Sequence, residues 1–198
     1  RLTEVVDAQI ARVLEALRAG GLERNTIVIF TSDHGDMDAA HRLEHKSTLY
    51  EEACRVPLII RAPGVTKAGQ VCDAPITAMD FYPTMLQLAG LPLMPEQHVD
   101  GVGFLPLLKG DATMDHAPLW WHYPHYHGSA WKPGAAVREG AWKLIEFYEE
   151  GRCELYNLVE DPYEKRDLAP TNARKRDQMR KLLAELQQAA GARMPVRR

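Results

Sequence analysis

The stretch Thr26-Ile27-Val28-Ile29-Phe30-Thr31 runs directly into Ser32-Asp33-His34-Gly35-Asp36, and after a polar interval Arg55-Val56-Pro57-Leu58-Ile59-Ile60-Arg61 repeats the apolar pattern. Both runs are short, continuous and β-branched, the composition of strands buried on both faces rather than one. Ahead of the first, Val6, Ile10, Val13, Leu14 and Leu17 recur at helical spacing, with Thr3 placed to cap and Gly20-Gly21 to stop. Helix, short loop and buried strand make half of an α/β unit. The second strand is closed by Pro63-Gly64, and Asp80 to Ala89 reads as another helix, with Asp80 as cap, Pro83 in the first turn and Gly90 just past the end. Residues 1–110 are therefore expected to be α/β.

The texture changes in residues 111–198. Leu119-Trp120-Trp121, Ala135-Ala136-Val137, Trp142 to Phe147 and Cys153-Glu154-Leu155-Tyr156 are short strand candidates between Pro, Gly and charged turns. That spacing predicts a small antiparallel sheet. Thr171 to Ala190, with Met179, Leu182, Leu183 and Leu186, predicts a closing helix.

Composition narrows the class. The chain has 198 residues, 45% hydrophobic and 26% charged, which is the usage of a globular protein able to bury a core. Its formal charge is only −3, and basic residues are scattered except at the tail Arg197-Arg198, so no footprint for nucleic acid stands out. No apolar run approaches membrane-spanning length. Cys54, Cys72 and Cys153 lack metal-binding or redox spacing and are expected to be small buried apolar residues. The first residues open into an amphipathic pattern with neither an initiator Met nor a leader-like apolar stretch, so the natural N-terminus is expected to lie upstream.

Ligands collect at the carboxyl ends of strands in open α/β sheets, where loops converge. Asp33 and His34 sit at that end of the first strand, and Gly35 permits a sharp turn, so a carboxylate and an imidazole can reach one cation. Taken alone, Asp-His-Gly is more often an ordinary capped turn than a metal site.

The length of the pattern distinguishes the two. Thr26 through Gly35, His41, Lys46, Tyr50-Glu51-Glu52, Arg55 through Ile60 and Pro63-Gly64 together resemble the sulfatase family in residue type and spacing. The resemblance continues through Asp80, Pro83-Thr84, Leu88-Ala89-Gly90, Asp100-Gly101, Trp142-Lys143-Leu144, Glu154 through Leu158 and Asp161-Pro162. It implies an α/β fold containing part of an alkaline-phosphatase-like mixed sheet flanked by helices. Residues 1–110 would be the C-terminal half of the catalytic domain, and residues 111–198 a small subdomain of antiparallel sheet and closing helix. It implies hydrolysis of a sulfate monoester on a sulfated small molecule or glycan, and is compatible with a periplasmic or secreted setting. One divalent cation is implied, calcium in most relatives. Asp33 and His34 match its ligands, and Lys46 matches the lysine that contacts sulfate. Asp33 is also placed to accept a proton from the nucleophile. Many members carry Asn at the position of His34, and because imidazole suits softer ions, Mn2+ or Zn2+ joins Ca2+ as an expected occupant.

In the resembling family a Cys or Ser of a C/S-x-P-x-R motif is oxidised to formylglycine, the nucleophile, and two adjacent Asp complete the metal shell. Neither motif is present: in Cys54-Arg55-Val56-Pro57 the proline falls one place late, and no two Asp are neighbours. The formylglycine is expected upstream, and this chain alone is expected to be inactive and to fold poorly. A phosphonate or phosphate ester hydrolase of the same superfamily, or a non-catalytic binding fragment, remains the alternative.

Other candidates are secondary. His122-Tyr123-Pro124-His125-Tyr126-His127 is read either as a substrate subsite, with His125 and His127 lining it, or as a solvated surface loop. His41 is expected to make a structural hydrogen bond, Asp36 and Asp38 to cap or be solvated, and Arg55 to pair locally with Glu51 or Glu52.

Overall fold

The computed structural model describes residues 2–111, 113–114 and 116–196; the basic pair Arg197-Arg198 lies outside the described residues. In chain order the elements are α1 (Leu2–Ala19), β1 (Val28–Thr31), α2 (Glu51–Cys54), β2 (Leu58–Arg61), α3 (Phe81–Leu88), α4 (Leu105–Lys109), β3 (Leu119–Tyr123), β4 (Gly134–Glu139), β5 (Trp142–Phe147), β6 (Arg152–Asn157) and α5 (Ala173–Ala189). They fall into two compact units, Arg1–Phe30 with Leu58–His116, and Thr31–Pro57 with Ala117–Arg198.

In the first unit β1 and β2 form a two-stranded sheet, and Arg61 at the end of β2 donates to Glu23 Oε1 at 2.8 Å. The expectation that these strands are buried on both faces is corrected: neither contains a buried residue, and Ile59 is 65% exposed. The apolar stripe of α1 likewise leaves no residue buried. A two-stranded sheet and one helix do not offer enough apolar surface to cover one another. Thr3 is inside α1 and does not cap it, because the helix already runs from Leu2. Asp80 holds the N-cap position of α3 as expected, but its side chain makes no capping hydrogen bond to that helix. Thr77 caps a 3-10 turn over Ala78–Asp80, and the Asp80 side chain answers as the reciprocal acceptor, taking the Thr77 N–H at 2.6 Å. Asp80 is fully buried, also accepts the Val102 N–H at 2.8 Å and lies 3.2 Å from His116 Nε2, which satisfies a charge that burial would otherwise penalise.

The second unit is built on the antiparallel meander β3-β4-β5-β6. Glu139 pairs with Trp142, so β4 and β5 are joined by the two-residue turn Gly140-Ala141, with Gly140 at φ 56°, a conformation that favours glycine. Strand alternation sends Ala135, Val137, Leu144 and Leu155 to one face, where they pack with Met179 and Leu183 of α5. The N-terminus of α5 is capped by Asn172, whose side chain accepts the Lys175 N–H at 3.2 Å. Ala136, Ile145, Phe147 and Tyr156 point to the other face and pack with Met37, Leu49, Tyr50 and Ala53. The polar segment after β1 and the helix α2 thus lie against the sheet, which fixes the region richest in chemistry. Of the cysteines, all of them free, Cys72 is exposed and the other two are half-buried, correcting the expectation of three buried residues. Among the described residues no helix is long and apolar enough to cross a membrane.

Candidate functional site

The loop that leaves β1 is tied to α2 by its glycine. Gly35 N–H donates to Ala53 O at 2.9 Å. A Cβ at Gly35 would stand 1.8 Å from the carbonyl oxygen of Glu52, so only glycine lets the two backbones approach this closely. The two preceding side chains are turned toward each other. Asp33 Oδ1 accepts the His34 backbone N–H at 3.0 Å, and Asp33 Oδ2 lies 3.5 Å from His34 Nε2. His34 Nδ1 is 2.7 Å from the carbonyl oxygen of Gly35. A carbonyl only accepts, so Nδ1 carries a proton, and Nε2 faces the Asp33 carboxylate. Metal-ligating histidines are oriented this way, the ring N–H held by a backbone carbonyl and the other nitrogen left for the ion. Asp33 is 84% exposed along its side chain, open to an incoming group.

The loop continues with six non-glycine residues at positive φ, Asp38, Ala39, His41, Arg42, His45 and Ser47, at values from 42° to 68°. Such conformations cost roughly 1 kcal/mol or more each and persist where surroundings over-determine them. Here the surroundings include Met37 N–H donating to His45 O at 2.9 Å and the Asp36 carboxylate accepting the Asp38 N–H at 3.0 Å. Lys46 follows immediately, exposed and without an ion pair among the described residues.

His125 and His127 are exposed on the loop after β3, each ring edge-on or steeply tilted to Tyr123. Ser129 N–H donates to His127 Nδ1 at 3.2 Å, so His127 keeps its proton on Nε2 as an outward donor. His122 is used structurally, bridging Tyr148 Oη at 2.6 Å and Arg193 O at 3.0 Å. The second unit also holds a cavity of about 340 Å³ bordered by His41, Tyr50, Trp131 and Glu154, and none of Asp33, His34 or Lys46 lines it.

Residues 39–190 match the family model described as N-sulphoglucosamine sulphohydrolase, C-terminal. The chain belongs to this sulfatase family. It is 34% identical over 171 residues to Arylsulfatase K of Bos taurus, an alignment covering 82% of this chain and 31% of the relative, so the chain spans about a third of that protein's length. A solved structure described in complex with its substrate D-glucosamine-2-N,6-O-disulfate superposes with a TM-score of 0.83 at 32% identity, covering 94% of this chain and 39% of that one. The phosphonate monoester hydrolase of Agrobacterium radiobacter superposes at 0.75 with 28% identity over 93% of this chain and 39% of its own. The fold is thus the alkaline-phosphatase-like fold of sulfatases.

Behind the sulfatase loop lies a buried charge cluster that the sequence did not reveal. Lys143 on β5 is fully buried, 2.8 Å from Glu51 Oε1 and 3.0 Å from Glu164 Oε1, and Arg138 approaches Glu51 Oε2 at 3.5 Å. Burial alone would push the Lys143 ammonium down, but Glu164 and Glu51 hold it above the ordinary lysine value. Burial pushes the Glu164 carboxyl up against the opposing pull of Lys143. The expected local pair of Arg55 with Glu51 or Glu52 is therefore corrected: Glu51 turns inward to Lys143, Glu52 faces His41 at 3.7 Å, and Arg55 is exposed. An ammonium in mid-strand was the one available signal, since a lysine between apolar neighbours of a central strand needs a counter-charge. Beside this cluster, burial and then Glu154 push the phenols of Tyr50 and Tyr156 up. Both stay protonated and donate to Glu154 Oε2, at 2.6 and 2.9 Å.

Proposed function

We propose that this chain supplies part of the metal and sulfate site of a sulfuric ester hydrolase acting on a sulfated small molecule or glycan. The observation carrying the proposal is the facing pair Asp33 Oδ2 and His34 Nε2, 3.5 Å apart, with the imidazole proton held on the far side by Gly35 O. Two donors so placed suit one divalent cation, Ca2+ by family and Mn2+ or Zn2+ by the chemistry of imidazole. Such an ion supplies positive charge against the oxygens of the sulfuryl group. In this reading Asp33 also accepts a proton from the nucleophile, a formylglycine contributed by sequence upstream of this chain. Lys46, a compact ammonium with no competing ion pair among the described residues, stabilises charge on the sulfate oxygens as it develops. His125 and His127 line the side toward the sugar, with the His127 Nε2–H free to meet a hydroxyl or sulfate oxygen. Residues 1–110 then complete the catalytic α/β domain, and residues 111–198 form the subdomain whose sheet backs the loop.

The test uses the full-length protein that contains this chain. Sulfate release from an aryl sulfate and from an N- and O-sulfated glucosamine is followed by ion chromatography in wild type and Asp33→Ala. The reading requires release by the wild type and, in the variant, loss of most activity and of one equivalent of bound metal; unchanged metal content in Asp33→Ala would sink the assignment. The likeness to a phosphonate monoester hydrolase gives a second reading, and faster turnover of a phosphonate monoester than of either sulfate ester would favour it.

A further inference from the structure

Three side chains outside the proposed active site converge where no established role requires them. The donor atoms of His41, Glu52 and Glu164 lie within 4.8 Å of one another, with His41 Nε2 and Glu52 Oε2 at 3.7 Å. The His41 and Glu52 side chains are only 16% and 21% exposed, and that of Glu164 is fully buried. Glu52 Oε2 is shielded from solvent and without a hydrogen-bond partner among the described residues. Glu164 Oε2 accepts the Glu51 N–H at 2.5 Å and Glu164 Oε1 is ion-paired with Lys143 Nζ at 3.0 Å, which leaves Glu52 Oε2 as the oxygen without a partner. An orphaned buried carboxylate oxygen is expensive and asks for an explanation.

The surroundings carry a small excess of negative charge. Glu51, Glu52 and Glu164 bring three negative charges, and Lys143 and Arg138 bring two positive, leaving one carboxylate unmatched. A divalent ion exceeds that deficit by one charge, so the donor geometry carries the argument: at 3.7 Å His41 Nε2 and Glu52 Oε2 are too far apart for a proper hydrogen bond to each other. A cation takes all three donors at once. Ligands on a tetrahedral zinc at about 2.0–2.1 Å stand roughly 3.3 Å apart, so the 3.7 Å pair needs little adjustment. His41 and Glu164 also share a left-handed backbone at φ 51°, and His41 is fixed by stacking on Tyr50 at 3.9 Å.

We propose that His41, Glu52 and Glu164 form a second cation site, structural rather than catalytic, for a divalent transition ion such as zinc or manganese. One nitrogen and two carboxylate oxygens are the donor set for such ions. The ion joins three segments distant in sequence: the strained loop through His41, α2 through Glu52 and the turn after β6 through Glu164. Because α2 also holds Gly35 through Ala53 O, the site steadies the loop that carries Asp33 and His34.

The experiment is metal binding by the full-length protein, stripped with chelator and reloaded with Zn2+ or Mn2+, for wild type, Glu52→Gln, His41→Ala and Asp33→Ala. Wild type is expected to bind one equivalent more than Glu52→Gln or His41→Ala. Asp33→Ala is expected to lose a different equivalent, so failure here and failure of the proposed activity are separable. Removal of metal should lower the melting temperature of wild type and Asp33→Ala by more than that of Glu52→Gln, which keeps only the ion at Asp33 and His34. Unchanged stoichiometry in Glu52→Gln overturns the site. Should His41→Ala fail to fold, anomalous scattering from zinc-loaded wild-type crystals decides: a peak among the three side chains supports the proposal, and its absence overturns it.

Discussion

Replacing Gly35 with Ala probes the join between fold and site most sharply. The added Cβ would meet Glu52 O at 1.8 Å, Glu52 C at 2.9 Å and Ala53 Cα at 3.3 Å, all backbone atoms that cannot rotate aside. Ordinary contact begins at 3.4 Å, so loop and α2 must separate by 3.4 − 1.8 = 1.6 Å. The Gly35 N–H to Ala53 O bond, now 2.9 Å, cannot survive that movement, at a net loss of about 1 kcal/mol. Overpacking adds about 1–3 kcal/mol. Gly35 does not sit at positive φ, so the penalty is steric rather than conformational. Asp33 and His34 are the two residues before it, and misplacing reacting groups by about 1 Å costs on the order of 100-fold in rate. Sulfate release by full-length Gly35→Ala should therefore fall at least about 100-fold, with a measurable drop in melting temperature. Activity within a few-fold of wild type, in a protein of unchanged stability, would refute the argument that this close approach positions the pair.

Three further outcomes follow from particular environments. Lys143→Met strands Glu51 and Glu164 in a buried site and should cost about 3–5 kcal/mol, read as a lower denaturation midpoint; no change would mean the cluster is not buried in solution. Lys46→Ala should lower turnover by about 100-fold or more while leaving the melting temperature unmoved, because Lys46 is exposed and without an ion pair among the described residues; equal losses of both would make it structural. Burial pushes the Cys54 thiol up to about 11, so at pH 8 it stays protonated, and exposed Cys72 should alkylate first with Cys54 labelled only on denaturation; rapid native labelling of Cys54, located by peptide mass, would contradict this.

The parts of the structure legible in the sequence were those set by local periodicity. Trp142 to Phe147 forms a strand over that same range, the strand candidates near Leu119, Ala135 and Cys153 each extend by a few residues, and the closing helix begins at Ala173 behind its Asn172 cap. Interactions between distant residues were not legible. Lys143 pairs with Glu51 across 92 positions, and nothing local to Trp142-Lys143-Leu144 names that partner. At Asp80 the position at the start of the helix was legible, but not the partner of its carboxylate, which takes the Thr77 N–H and not an amide of α3. The apolar runs around Ile29 and Ile59 were rightly strands, but their burial depends on neighbours that local pattern cannot supply. In the site, the adjacency of Asp33 and His34 was visible, whereas the Nδ1 proton of His34 required the position of Gly35 O.

The most direct test of the central claim is the crystal structure of the full-length protein with a divalent cation and sulfate bound. The account predicts one cation bridging Asp33 Oδ2 and His34 Nε2, with Lys46 Nζ on a sulfate oxygen. Sulfate bound elsewhere, with Asp33 and His34 both free of metal, would contradict it.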